Sequence, residues 1–133
     1  MEEKFIQERS FQFSLMIIEV YKKLLFQKEF IISKQLFRSG TSIGANVAEA
    51  QGGISKREFR NKMSIALKEA LEARYWIKLL IESELVEIEM SKEEAELETM
   101  INMLYKIVKT SSQTSSIEAK KYTLNTAPIL GID

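Results

Sequence analysis

The sequence predicts an all-α fold, with four helices arranged as an antiparallel up-down-up-down bundle. Apolar side chains recur every three to four residues along four long segments, which is the period of a helix with a buried face. Only five glycines and one proline occur in 133 residues, whereas an all-β fold needs many tight turns. The connections between the four segments are short, and short connections make consecutive helices antiparallel neighbours.

The first helix is predicted from about residue 10 to residue 27. Its main apolar stripe has steps of four, three and four residues and consists of Phe13, Ile17, Val20 and Leu24. Three further apolar residues widen this stripe: Phe11, Leu15 and Ile18. So wide an apolar surface predicts that the helix is buried on two sides.

The second helix is predicted over about residues 33–51, with Ser33 as its N-cap. Its apolar face consists of Leu36, Ile43, Val47 and Ala50. Gly40 and Gly44 lie inside this segment, and each costs about 1 kcal/mol relative to alanine in a helix. A loop around residues 39–44 is therefore the competing interpretation. If the segment is helical, its small residues make it thin enough for close approach by a neighbouring backbone.

Gly52 and Gly53 are predicted to end the second helix with left-handed dihedral angles. Ser55 and Glu58 then have the spacing of a capping box, which begins a third helix over about residues 55–84. Seven residues of this helix form a heptad seam: Phe59, Met63, Ala66, Ala70, Ala73, Ile77 and Leu80.

A second capping box, at Ser91 and Glu94, begins a fourth helix over about residues 91–110. Serine and threonine crowd residues 110–116 and are predicted to end this helix. Residues 111–133 then form a C-terminal tail. No repeat or linker interrupts the sequence, so residues 1–133 are predicted to form a single domain.

The composition excludes several classes of chemistry. The chain contains no cysteine and no histidine, and Asp133 is its one aspartate. Disulfides, thiol nucleophiles and thiolate zinc sites are thus excluded, and the usual general base near neutral pH is missing. The glutamates concentrated between residues 82 and 98 fit a solvated acidic tip better than a cation site. We therefore predict no catalytic residue, no metal site, no cofactor and no small-molecule substrate.

No apolar run approaches the roughly 20 residues of a membrane span, and the acidic, polar N-terminus does not resemble a secretory signal. The expectation is a cytoplasmic protein that does not contact membranes. Net charge is zero but unevenly distributed. Residues 20–78 carry twelve basic residues and five glutamates, a balance of +7, whereas residues 79–98 carry one lysine and eight glutamates, a balance of −7. This split indicates a basic working face or complementary contacts between copies.

The third helix carries a basic stripe outside its seam. Its six members project within about 120° of one another: Lys56, Arg57, Arg60, Lys68, Arg74 and Lys78. Such a stripe, with Tyr75 beside it, is suited to binding the phosphates of a nucleic acid. Basic side chains also cover apolar surface at protein interfaces, and Leu67 and Leu71 favour packing against another subunit. Both interpretations of the stripe remain open at this point.

The stretch from residue 38 to residue 59 does not have the pattern of a phosphate-binding loop. It lacks the lysine and the preceding strand of a P-loop. Four polar residues fall within an arc of about 80° on the second helix: Arg38, Ser42, Asn46 and Glu49. They form either a solvated polar face or a polar network that sets the register of a subunit contact.

These residues resemble the signature of the bacterial four helix bundle proteins, also called 23S rRNA-intervening sequence proteins. The match runs from Arg38 through Ser42-Ile43, Asn46-Val47 and Glu49 to Ser55-Lys56, Glu58-Phe59 and Ala66-Leu67, and the resemblance covers roughly residues 10–110. Three positions depart from the family pattern. Gly40 replaces a usual alanine, Gly44 a common proline and Ala50 a common glycine.

The resemblance implies a left-handed bundle, often assembled as a ring of five subunits. Relatives encoded within ribosomal RNA genes are regarded as RNA-binding, and others are basic, ring-shaped partners of reverse transcriptases. Two hypotheses follow. The first is a non-enzymatic homo-oligomer, with five subunits by resemblance, that binds RNA, DNA or a ribonucleoprotein through its basic face. The alternative is an oligomeric protein-interaction scaffold without nucleic-acid contact, and a carboxylate–metal enzyme is a remote third.

Overall fold

The computed structural model describes the backbone of residues 2–125 and the side chains of residues 4–112. It contains four helices and, within residues 2–125, no strand, so the predicted all-α class is confirmed. The helices are α1 (Glu2–Phe26), α2 (Ile32–Ala50), α3 (Lys56–Ser83) and α4 (Ser91–Asn125).

Two helix boundaries differ from the predicted ones by more than one residue. Helix α1 begins at Glu2 rather than near residue 10. The prediction that serine and threonine at 110–116 end the last helix is wrong, because α4 continues to Asn125. Those residues are only slightly poorer helix formers than alanine, and neither glycine nor proline occurs between Ser91 and Asn125 to break the helix. The rest of the predicted tail, residues 126–133, lies outside the described part of the chain.

The core contains the main apolar stripe of every helix, including those predicted for the first three. Helix α1 contributes Phe13, Ile17, Val20 and Leu24; α2 contributes Leu36, Ile43, Val47 and Ala50; and α4 contributes Leu97, Met100, Leu104 and Ile107. The seam of α3 is buried from Met63 to Leu80, with Phe59 partly buried at its start. Burial of the larger apolar side chains among these, at roughly 2 kcal/mol each, is the main favourable contribution to folding.

Each helix packs against two others, in the cyclic order α1, α2, α3, α4. Contacts between α2 and α3 run in reverse sequence order, as antiparallel packing requires. Arg38 bonds Glu69 while Glu49 bonds Lys62, which is farther along α2 and earlier on α3. The up-down-up-down order of the whole bundle stays a prediction. The left-handed sense of the bundle stays a prediction.

The glycines of α2 allow close packing against α1. Residues 39–44 are helical, so the competing loop interpretation is wrong. A Cβ atom added at Gly40 would lie 2.8 Å from Cγ1 of Ile17, and one at Gly44 would lie 3.1 Å from the Ser10 carbonyl oxygen. The approach of α1 therefore compensates for the poor helix propensity of both glycines.

The helix caps follow the predictions only in part. Ser55 caps α3 as predicted, because its hydroxyl accepts a hydrogen bond of 3.1 Å from the Glu58 amide. The predicted serine caps of α2 and α4 are wrong. The Glu29 carboxylate caps α2, accepting from the amides of residues 31, 32 and 33, whereas Ser33 donates to the Glu29 carbonyl. Helix α4 begins at Ser91 itself, whose amide donates to the Glu89 carboxylate.

The turn after α2 also departs from the prediction. Neither Gly52 nor Gly53 adopts a left-handed conformation. Their amides instead donate to the carbonyls of Glu49 and Ala50, three residues earlier, which tightens the last turn of the helix.

Candidate interaction surfaces

The structure divides the predicted basic stripe of α3 into two rows. Arg60 is only 6% exposed, so it is not available on an open phosphate-binding face, and this part of the prediction is wrong. Arg74 is exposed but donates a 2.8 Å hydrogen bond to Glu98 of α4. Leu67 is buried and Leu71 partly buried in the chain's own core, so they do not provide the free apolar contact surface that was expected.

Arg57 and Lys68 form the outward row of α3. At 100° per residue they lie about 20° apart around the helix, and Tyr75 has the same direction as Arg57. All three residues are exposed. Lys78 is also exposed but lies with Arg74 beside the acidic start of α4, and Lys56 is exposed at the first residue of α3. The surface that best suits a polyanion is therefore the outward row, smaller than the stripe predicted from the sequence.

The signature residues of α2 connect this helix to α3 within one chain. Arg38 donates to Glu69 at 3.1 Å and also to Glu72. Its guanidinium lowers the pKa of the Glu72 carboxyl, and the Trp76 indole N–H, 2.9 Å from the same carboxylate, lowers it further. Farther along the contact between α2 and α3, Glu49 pairs with Lys62 at 2.7 Å.

Ser42 and Asn46 complete this row by bonding to their own helix. The Ser42 hydroxyl donates to the Arg38 carbonyl at 2.6 Å, and the Asn46 amide donates to the Ser42 carbonyl at 2.9 Å. Both residues are half-buried. Each side chain thus has a hydrogen-bond partner within its own helix, and the predicted role of both residues in a subunit contact stays a prediction.

An apolar face of α1 points away from the core of the chain. Phe11, Leu15 and Ile18 are 61%, 44% and 37% exposed. They lie at spacings of four and three residues, so they form one continuous stripe. These residues are the second apolar side predicted from the sequence, but its predicted burial is not achieved within a single chain.

A groove beside this stripe results from the small residues of α2. It has a volume of about 350 Å³ and is lined by Gln7, Phe11, Ser14, Gly44, Ala45 and Ala48. Ala45 and Ala48 are exposed. The stripe on α1 and the groove together are defined here as the α1 face, which combines protruding large side chains with a recess lined by small ones.

No group of three or more acidic side chains within residues 4–112 is placed to hold a metal ion. Within residues 2–125, none of the helices combines the length and the apolar character needed to cross a membrane.

The fold and its surfaces define a small all-α bundle with an uncovered apolar face and a partly neutralised basic helix. The chain belongs to the 23S rRNA-intervening sequence protein family, whose model matches residues 2–118. It is similar to a protein of unknown function from the S23 ribosomal protein family of Bacteroides thetaiotaomicron, with 41% identity and a TM-score of 0.78. That comparison covers 82% of this chain and 99% of the other. None of the curated proteins matches the sequence.

Proposed function

We propose that this protein is a non-enzymatic homo-oligomer that assembles through the α1 face and binds nucleic acid or a ribonucleoprotein through the outward basic row of α3. The observation that carries the proposal is the exposure of Phe11, Leu15 and Ile18. A continuous apolar stripe beside a groove is typical of an interaction site rather than of an ordinary solvent-facing helix. The family resemblance favours a ring of five subunits.

Assembly compensates for the weak basic surface of the single chain. Each chain presents Arg57, Lys68 and the flanking Lys56 and Lys78, while its total formal charge is zero. Two to four phosphate contacts give little affinity at physiological salt. A ring repeats these contacts on one rigid body, and linked sites bind far more tightly than single ones. The exposed Tyr75 adds a surface on which a base can stack.

Replacing Phe11 and Leu15 by serine is expected to reduce the oligomer to smaller species. The change removes most of the exposed apolar area of the α1 face without entering the core, so the fold is retained. Light scattering at about 50 µM measures the mass, and circular dichroism checks the helix content. Ile54→Ser is the matched control, because Ile54 is highly exposed but lies in the α2–α3 turn. Unchanged mass in the double variant would reject assembly through the α1 face.

Replacing Arg57 and Lys68 by glutamate is expected to abolish retention of RNA or DNA without changing the oligomer. Binding of the unaltered protein should fall steeply with salt, since phosphate contacts release counterions. The control is Lys22→Glu with Lys23→Glu, which makes the same charge change on α1. Fluorescence anisotropy with a labelled single strand and a labelled duplex, from about 50 to 200 mM salt, measures the effect. Equal binding by both double variants would refute the role of α3.

The second candidate is a protein-interaction scaffold that does not contact nucleic acid. The neutralised arginines favour it, because Arg38 is paired with two glutamates and Arg74 with Glu98. For this candidate, the anisotropy of both nucleic acids should stay at the value of the free nucleic acid at every salt concentration. That result, together with an intact oligomer, would select it.

A further inference from the structure

One end of the bundle, where α1 passes to α2 and α3 passes to α4, carries a second exposed apolar surface. Its four members are Phe26, Phe30, Ile31 and Leu85, which are 78%, 61%, 77% and 58% exposed. We define these residues and the two turns that carry them, residues 26–34 and 82–89, as the end face. It lies at the end of the helices and is therefore separate from the α1 face along their sides.

The end face is rigid, because side chains tie its two turns together. The Gln27 side chain donates to the Glu87 carbonyl at 2.7 Å and accepts from the Glu87 amide at 2.8 Å. On the other side of the same turn, the Glu29 carboxylate holds the three amides at the start of α2. Apolar side chains on turns fixed in this way lose little conformational freedom on binding, which favours recognition.

The charges of the end face are separated into two halves. The α1–α2 turn and the start of α2 expose Lys28 and Lys34, while the single acid there, Glu29, is buried in its cap. The α3–α4 side exposes Glu82, Glu84 and Glu87. The apolar residues come from both turns, with the basic half on one side and the acidic half on the other.

We propose that the end face binds the end face of a second copy of this chain about a two-fold axis. A rotation by half a turn places the basic half of each copy on the acidic half of the other, and the apolar residues on one another. A two-fold contact of this kind is self-complementary and closed. An anionic membrane is a poorer partner, because the exposed glutamates of the same surface would be repelled by it.

The size of the end face sets the strength of this contact. Four packed helices present an end of about 20 Å by 20 Å, or about 800 Å² for two copies. Stable interfaces bury about 1,200–2,000 Å². We therefore expect reversible pairing that grows with concentration, in addition to any assembly through the α1 face.

Charge exchange tests this pairing directly. The experiment uses the full chain with Phe11→Ser and Leu15→Ser as background, and sedimentation equilibrium up to about 1 mM. The mass should rise with concentration towards twice the 15.4 kDa of the chain. Lys28→Glu alone and Glu84→Lys alone should each weaken pairing at least about tenfold, since like charges then face each other. An equimolar mixture of the two variants should pair again, because both contacts become attractive.

Lys28 and Glu84 suit this exchange because each replacement preserves the backbone. Both residues already adopt left-handed φ angles, 64° and 55°, and each substitution replaces one long side chain by another.

Replacing Phe30 and Ile31 by serine should abolish pairing, because these residues form part of the apolar centre of the end face. The proposal would be overturned if the Phe11→Ser, Leu15→Ser protein kept the mass of one chain at every concentration. It would also be overturned if a mixture of the Lys28→Glu and Glu84→Lys variants did not pair. Binding to phosphatidylserine vesicles without self-association would also overturn it. These results leave assembly through the α1 face unaffected.

Discussion

Replacing Gly40 by valine is expected to lower the free energy of unfolding by about 3 kcal/mol, an upper-range value for an overpacked core. Even the first added carbon would lie 2.8 Å from Cγ1 and 3.1 Å from Cγ2 of Ile17. Ile17 is fully buried, so it cannot move towards solvent. The gain in helix propensity over glycine is smaller than this clash, since valine forms helices only moderately well.

Urea unfolding followed by circular dichroism, at one fixed protein concentration, measures this effect. Gly52→Val is the matched control, because a carbon added at Gly52 meets only the Glu49 carbonyl oxygen, at 3.7 Å. Adding Ile17→Ala to Gly40→Val should cost less than the sum of the two single changes by about 1–3 kcal/mol. Equal effects of valine at positions 40 and 52 would contradict the close approach of α1 and α2.

Replacing Glu29 by alanine is expected to cost about 2–3 kcal/mol of unfolding free energy. The carboxylate accepts three hydrogen bonds, of 3.0, 3.0 and 2.5 Å, from the first amides of α2. Burial raises the pKa of the Glu29 carboxyl, but these hydrogen bonds outweigh it and bring the pKa below the ordinary value of 4.5. The charged form is therefore the one that stabilises the fold.

The pH dependence of this effect has a defined sign. Since the pKa of Glu29 is lower in the folded than in the unfolded protein, its contribution is complete above the unfolded value and is lost as the pH falls through the folded value. The difference in unfolding free energy between the unaltered protein and Glu29→Gln should thus be constant near pH 7 and shrink in acid. Glu19→Gln, on the exposed surface of α1, is the control. A difference that grows in acid would contradict the capping role.

Local signals in the sequence predicted local structure well. The period of the apolar residues identified the buried stripes of α1, α2 and α3, and the capping box identified the start of α3, because both depend on residues within two or three turns. The cap of α2 was missed for a related reason. Glu29 reaches the helix from outside it, after a left-handed residue, Lys28, where glycine is usual. The serine that matched the standard pattern, Ser33, lies inside the helix instead.

The sequence could not predict which neighbour covers a given surface. Helical geometry placed Arg60 and Arg57 in one stripe, yet Arg60 is buried and Arg57 exposed, since burial depends on which part of the fold packs beside each residue. Likewise, the sequence showed two apolar sides on α1 but not that one of them lies outside the chain's own core. The pairing of Arg38 with Glu69 and Glu72 is also tertiary, because it joins positions more than 30 residues apart.

The molar mass of the full chain in solution tests the central claim most directly. Light scattering at about 50 µM and physiological salt should give a multiple of 15.4 kDa, which falls when Phe11 and Leu15 are replaced by serine and is retained in Ile54→Ser. A mass of one chain at that concentration, with the helix content intact, would contradict the assembly on which the proposed function depends.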